Sequence, residues 1–141
     1  GERAIALARR LGDLDTEVHA LVNVGSARLQ SGEPAGGEEL ERAHRLAAAA
    51  GLDDHAVRAL ANRASMTVER HDFDVAEDVL DRGLAFAEAR DLGGYVRHLL
   101  GHRATLRLAR GDWAGAVVAG AAGRHGGRTG PRGSARRRPR G

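Results

Sequence analysis

The 141-residue chain contains no cysteine and no lysine, and its aromatic residues amount to one Trp, one Tyr and two Phe. Without cysteine there is no disulfide framework and no thiolate metal site. With so few rings, a core must be filled by Ala, Leu and Val, and alanine-rich helices approach closely enough to stack in thin layers. No apolar run nears the roughly 20 residues needed to span a bilayer. No secretory leader is visible, so a cytoplasmic protein is expected. Strand-type alternation is missing. So is the G-x-x-x-x-G-K-[ST] loop that would cradle nucleotide phosphates.

Charge is unevenly spread. The formal net charge of +3 averages two unlike parts. Residues 1–123 hold 15 Arg and all 19 acids, a balance of 15 − 19 = −4, whereas residues 124–141 hold 7 Arg and no acid. The body is mildly acidic and only the tail is basic. That tail, GRHGGRTGPRGSARRRPRG over 123–141, has no apolar periodicity and too little apolar area to offset ordering entropy. It is expected to be disordered. It would serve as a solvated extension or as an electrostatic tether for nucleic acid.

What the chain does have is a repeat. Shifted by 39 residues, Glu2-Arg3-Ala4 falls on Glu41-Arg42-Ala43, Gly12 on Gly51, Val18 on Val57, Ala20-Leu21 on Ala59-Leu60 and Asn23 on Asn62. A further copy with one inserted residue sets Leu99-Leu100 over Ala59-Leu60. In the central copy Val57, Leu60, Ala61, Ala64 and Val68 recur at helical spacing, and Val75, Val79, Leu84, Phe86 and Ala87 form a second apolar face. Neither helix can bury its face alone, so neighbouring copies must stack.

The expected order is a helix over Glu2–Leu11, a second from a cap at Asp15 or Thr16 to Gln30, and a third from Gly36 to Ala50. The central pair is capped by Asp53-Asp54. A helix from Tyr95 to Arg110 follows, and a seventh begins at Trp113 and is weakened by Gly115 and Gly120. Phe73 and Trp113 are expected to plug the turns. Glu2–Leu11 reads as the second half of a preceding repeat, and the open apolar ends of so short a stack predict self-association.

The copies resemble tetratricopeptide repeats. The large position of the first helix is Leu21, Leu60 and Leu100, followed by Asn23, Asn62 and His102, then by Gly25, Ala64 and Ala104. The turn is Gly32-Glu33-Pro34, His71-Asp72-Phe73 and Gly111-Asp112-Trp113, and the small packing residue is Gly37, Ala76 and Ala116. The period of 39–40 exceeds the family's 34. In rhythm it is similar to the long-repeat arrays of LuxR-type transcriptional regulators with an N-terminal ATPase. The resemblance implies an all-α, right-handed solenoid of about seven helices over residues 1–122. It also implies a sensing or protein-interaction role between an ATPase and a DNA-binding module. A free-standing peptide-binding adaptor is the alternative.

In such stacks the first helix of each pair lines one groove. His19, Asn23 and Ser26, then Arg58, Asn62 and Ser65, then His98, His102 and Thr105 lie at i, i+4, i+7 and so form three parallel polar stripes. Their imidazoles, amides, hydroxyls and guanidinium suit a protein or peptide backbone, a carboxylate or a small polar ligand. The same Asn residues also suit helix packing, and mid-helix Ser or Thr can bond back to the preceding turn. His98 and His102 have a spacing that can hold a metal, but no third ligand is visible, so no metal site is expected. His71-Asp72-Phe73-Asp74 lacks calcium-loop spacing. Glu77, Asp78 and Asp81 read as a solvated face with an Asp78–Arg82 pair. No catalytic constellation and no cofactor motif appears, so a non-catalytic scaffold without a cofactor is expected.

Overall fold

A computed structural model describes residues 1–125, which form seven α-helices and no strand: α1 (Glu2–Leu11), α2 (Leu14–Gln30), α3 (Ala35–Ala49), α4 (Asp53–Glu69), α5 (Phe73–Glu88), α6 (Gly93–Ala109) and α7 (Trp113–His125). The all-helical expectation holds among these residues. The seventh helix runs past the expected boundary at 122 to His125. The disordered tail was expected from residue 123, and its remainder, 126–141, lies outside the described residues. None of the described helices is long and apolar enough to cross a membrane.

The repeat is written most plainly in the turns. Each of the six turns contains one left-handed residue: Gly12, Gly32, Gly51, His71, Asp91 and Gly111. Equivalent turns are 39 residues apart (12 to 51, 32 to 71) and then 40 (51 to 91, 71 to 111). Every one carries the same pair of backbone hydrogen bonds. At the first, Gly12 N–H donates to Arg9 O (3.2 Å) and Asp13 N–H to Ala8 O (3.0 Å); at the fourth, His71 N–H donates to Val68 O (3.1 Å) and Asp72 N–H to Thr67 O (3.0 Å). This reversal satisfies the orphan carbonyls of the helix end and turns the chain back on itself. It asks for φ near +60°, which glycine adopts freely and His71 and Asp91 adopt at a cost.

Sequence-adjacent helices pack as antiparallel neighbours, and beyond these only α2 meets α4 and α4 meets α6. The even helices therefore lie side by side in one layer, and α1, α3, α5 and α7 form the other. α4 sits at the centre and contributes buried residues to the cores on both of its sides. Its Ala56 and Ala59 join the core made with α2 and α3, while Val57, Leu60, Ala61, Ala64 and Val68 join the core made with α5 and α6. Leu40, Leu60, Leu80 and Leu99 are the largest fully buried side chains, one from each of α3 to α6.

Several local expectations are corrected. Asp13, not Asp15 or Thr16, caps α2, its carboxylate accepting from Thr16 N–H at 3.1 Å. Asp53 and Asp54 lie inside the first turn of α4, where they face the positive end of the helix dipole without a side-chain cap bond. The close backbone approach belongs to Gly36 rather than Gly37. A Cβ on Gly36 would collide with Leu29 N and lie 2.5 Å from Gly25 O, whereas one on Gly37 would meet only Arg63 Nε at 3.7 Å. Phe73 is half-buried against the core, as its turn position suggested, but Trp113 is 71% exposed. No described element covers the outer side of α7, so an aromatic that reads as a plug lies open.

Between the layers runs a ladder of ion pairs from odd helices to the next even helix. Glu2 pairs with Arg28, Glu41 with Arg63 (2.7 Å) and Asp81 with Arg103. Asp78 does lie 3.5 Å from Arg82, but Arg82 binds Glu41 of α3 more closely, at 2.5 Å. Glu77 pairs with Arg110. The face expected to be simply solvated thus stitches neighbouring helices together.

Candidate ligand-binding face on α2, α4 and α6

The nine groove residues fall on the three even helices, and the α2–α4 and α4–α6 contacts bring those helices together. The side chains do not all face a groove as free donors. On the α2–α4 side most are already paired. Asn62 Nδ2–H donates to Ser26 Oγ at 3.0 Å, and an Arg58 terminal N–H donates to His19 Nδ1 at 3.3 Å. On the α4–α6 side Ser65 donates to Glu69 at 3.3 Å, Thr105 bonds back to Gly101 O at 3.2 Å, and His98 and His102 meet each other with Nε2 atoms 3.2 Å apart. Thr105 shows the back-bonding that competes with a ligand role.

Arg58 is the hub. Its guanidinium also reaches His55 Nδ1 at 2.5 Å, and His55 Nε2 lies 3.0 Å from Asp15 Oδ1. Arginine has donors only, so His55 Nδ1 is the lone-pair nitrogen and His55 Nε2–H donates to Asp15. The result is a relay from Asp15 through His55 and Arg58 to His19, crossing from α2 to α4 and back. Arg58 Nε is buried and has no acceptor among the described residues. On the other flank Tyr95 of α6 lies near Asp54. Burial first, and then the nearby Asp54 carboxylate, raise the Tyr95 hydroxyl's pKa above its ordinary value.

His55, Asp15 and Tyr95 therefore belong with the nine; the sequence pattern offered Asp15 only as a cap and Tyr95 only as a helix start, and it did not single out His55. The 39-residue offset held a signal: it lays Asp15-Thr16 over Asp54-His55, one face of two successive helices. Burial of His102, then the proximity of His98, lowers the His102 pKa below the ordinary imidazole value.

Beside this network lies an open depression of about 370 Å³ lined by Gly1, Ala4, Asp15, Thr16, His19, Ala20 and Asn23. Its residues on α2 stand 39 positions before Asp54, His55, Arg58, Ala59 and Asn62 of α4. Of the nine, His19, Asn23 and His98 are exposed, whereas Arg58, Asn62 and His102 are half-buried.

Among the described residues no group of three His, Cys, Asp or Glu side chains is placed to hold a metal ion. The chain matches no family model, and no curated protein or solved structure shows significant similarity to it.

Proposed function

We propose that this chain is a non-catalytic interaction scaffold that binds an acidic peptide segment, or a small carboxylate ligand, on the face shared by α2, α4 and α6. The observation that carries this is Arg58. A permanently charged guanidinium sits at the middle of the face, and its observed side-chain partners are two imidazole nitrogens. A carboxylate is a better partner, because it adds an opposite charge and two acceptor oxygens that match the guanidinium fork, which a neutral imidazole nitrogen lacks. A ligand carboxylate would draw Arg58 from His19 and His55, and exposed Asn23 and His98 would bond the adjoining backbone. The repeat pattern supports placing such a scaffold in a bacterial signal-transduction ATPase or LuxR-type transcriptional regulator, where flanking modules would read the ligand-induced change.

The test is binding of fluorescent peptides that end in Asp or Glu, against amidated controls, to the wild type and to Arg58→Gln. Loss of one charge-assisted bond at 1.5–3 kcal/mol weakens binding roughly 10- to 150-fold, with unchanged helical circular dichroism. Equal binding of acidic and amidated peptides, or an indifferent Arg58→Gln, rejects the reading. The regulator context is checked separately by sequencing the DNA on both sides: an upstream nucleotide-binding loop and a downstream helix-turn-helix are expected.

A further inference from the structure

His98 and His102 stand apart from the Arg58 network. They lie one turn apart on the same stripe of α6, with ring centroids 4.6 Å apart and planes at 89°. Their Nε2 atoms are 3.2 Å apart, and neither ring makes another hydrogen bond among the described residues. That separation has a simple geometric meaning. Two imidazole nitrogens that each bind one ion at 2.0–2.1 Å, and that lie this far apart, subtend an angle of about 100° at the ion. The angle falls between that of adjacent square-planar ligands and that of tetrahedral ones.

We propose that His98 and His102 form a two-nitrogen chelate for a late first-row divalent ion, taking Cu(II) most tightly and Ni(II) or Zn(II) less so. The order follows the general affinity series for nitrogen ligands, and hard ions such as Mg(II) gain nothing there. Two surroundings favour the site. Gly101, three residues on from His98, has nothing within 4 Å of where a Cβ would stand, so the space for further ligands is open. Glu69 of α4 adds a negative charge that His102 senses.

The chain supplies two donors, and water or an oxygen or nitrogen of a bound ligand completes the sphere. The other close imidazole pair, His19 and His55 at 5.8 Å, is a poor site, because the Arg58 cation occupies the nitrogens that face it. The chelate stands whether or not the face binds a peptide.

The experiment titrates the full chain with Cu(II), Zn(II) and Mg(II) and follows the ring-proton NMR signals of the seven histidines. Substoichiometric Cu(II) should broaden His98 and His102 before the other five. At about a hundred times the dissociation constant the melting midpoint should rise by roughly 5–10 °C, with no shift from Mg(II). His98 is exposed, so His98→Ala keeps the fold while losing both the selective broadening and the shift; His102→Ala should do the same. Broadening spread evenly over all histidines, broadening that survives in His98→Ala, or an unmoved midpoint overturns the proposal. None of these outcomes bears on the acidic-peptide reading, which Arg58→Gln tests without metal.

Discussion

The first repeat (α2–α3) and the second (α4–α5) solve one packing problem with different residues. In the first, two glycines let backbones touch: Gly36 of α3 rides against Leu29 and Gly25 of α2. In the second, side chains keep the helices apart, with Ala64, Ala76 and Leu80 buried between them. The first turns through Gly32 and the second through His71, both left-handed. The contrast separates what the fold requires from what it tolerates. It requires a left-handed residue about every twenty positions and an apolar stripe on each helix. It tolerates either a backbone contact or a side-chain contact between paired helices.

Breaking the glycine contact should produce the largest effect. Gly36→Ala places a methyl on backbone atoms that cannot step aside, so α3 must shift away from α2. Overpacking of this kind costs about 3 kcal/mol. The reverse change at the position equivalent to Gly25, Ala64→Gly, brings no such clash and costs about 1 kcal/mol through helix propensity. Urea midpoints at constant slope measure both; equal losses at the two sites would show that the two contacts do not differ.

The polar stripes differ in the same way. Asn62 donates to Ser26 across α4 and α2, whereas Asn23, its equivalent, makes no side-chain hydrogen bond among the described residues. Asn62→Ala should cost about 1 kcal/mol of stability, and Asn23→Ala should stay within about 0.5 kcal/mol. In ligand binding the order should reverse, because Asn23 is the free donor. Chemical denaturation and peptide binding on the same two variants read both halves of this prediction.

The turns offer a gain instead of a loss. His71 holds φ at 60° where the first copy has Gly32 at 88°. His71→Gly should stabilise the chain by about 1 kcal/mol, and Gly32→Ala should destabilise it by a similar amount. His71 also packs edge-on to Phe73 at 5.4 Å, and losing that contact trims the gain. A rise in melting midpoint for one variant and a fall for the other is the expected pair of outcomes.

Much of this architecture was legible in the sequence because it lives in periodicity. The repeat pattern located all seven helices to within about three residues and put His19, Arg58 and His98 at one register. Two things were not legible. Which of two adjacent glycines touches the neighbouring helix depends on helix rotation, and one residue is 100° of it. Which polar groups pair across helices depends on the axial offset of α2 against α4, which no single-helix pattern contains. Hence Arg58 read as a free groove donor, while it is bonded to His19 and His55, and Asp15 read as a cap, while it orients His55.

The smallest effect in this series distinguishes the copies through acid. Glu2 and Glu41 are equivalent, and each pairs with an arginine of the following helix. Glu2 is 74% exposed, but Glu41 is 19% exposed and also holds Arg82. The Arg82 hydrogen bond, outweighing burial, lowers the Glu41 pKa below the ordinary carboxylate value. A lowered folded-state pKa means that the unfolded chain binds the proton more readily, so the pair's contribution is present above the unfolded value of 4.5 and is lost as pH falls below it. The effect should stay below about 1 kcal/mol, as for other partly exposed pairs. Glu41→Gln should therefore flatten the fall in stability as pH drops below about 4.5, and by more than Glu2→Gln does. A matched effect of the two substitutions would mean that the second arginine adds nothing, and that the ladder is equally weak at both rungs.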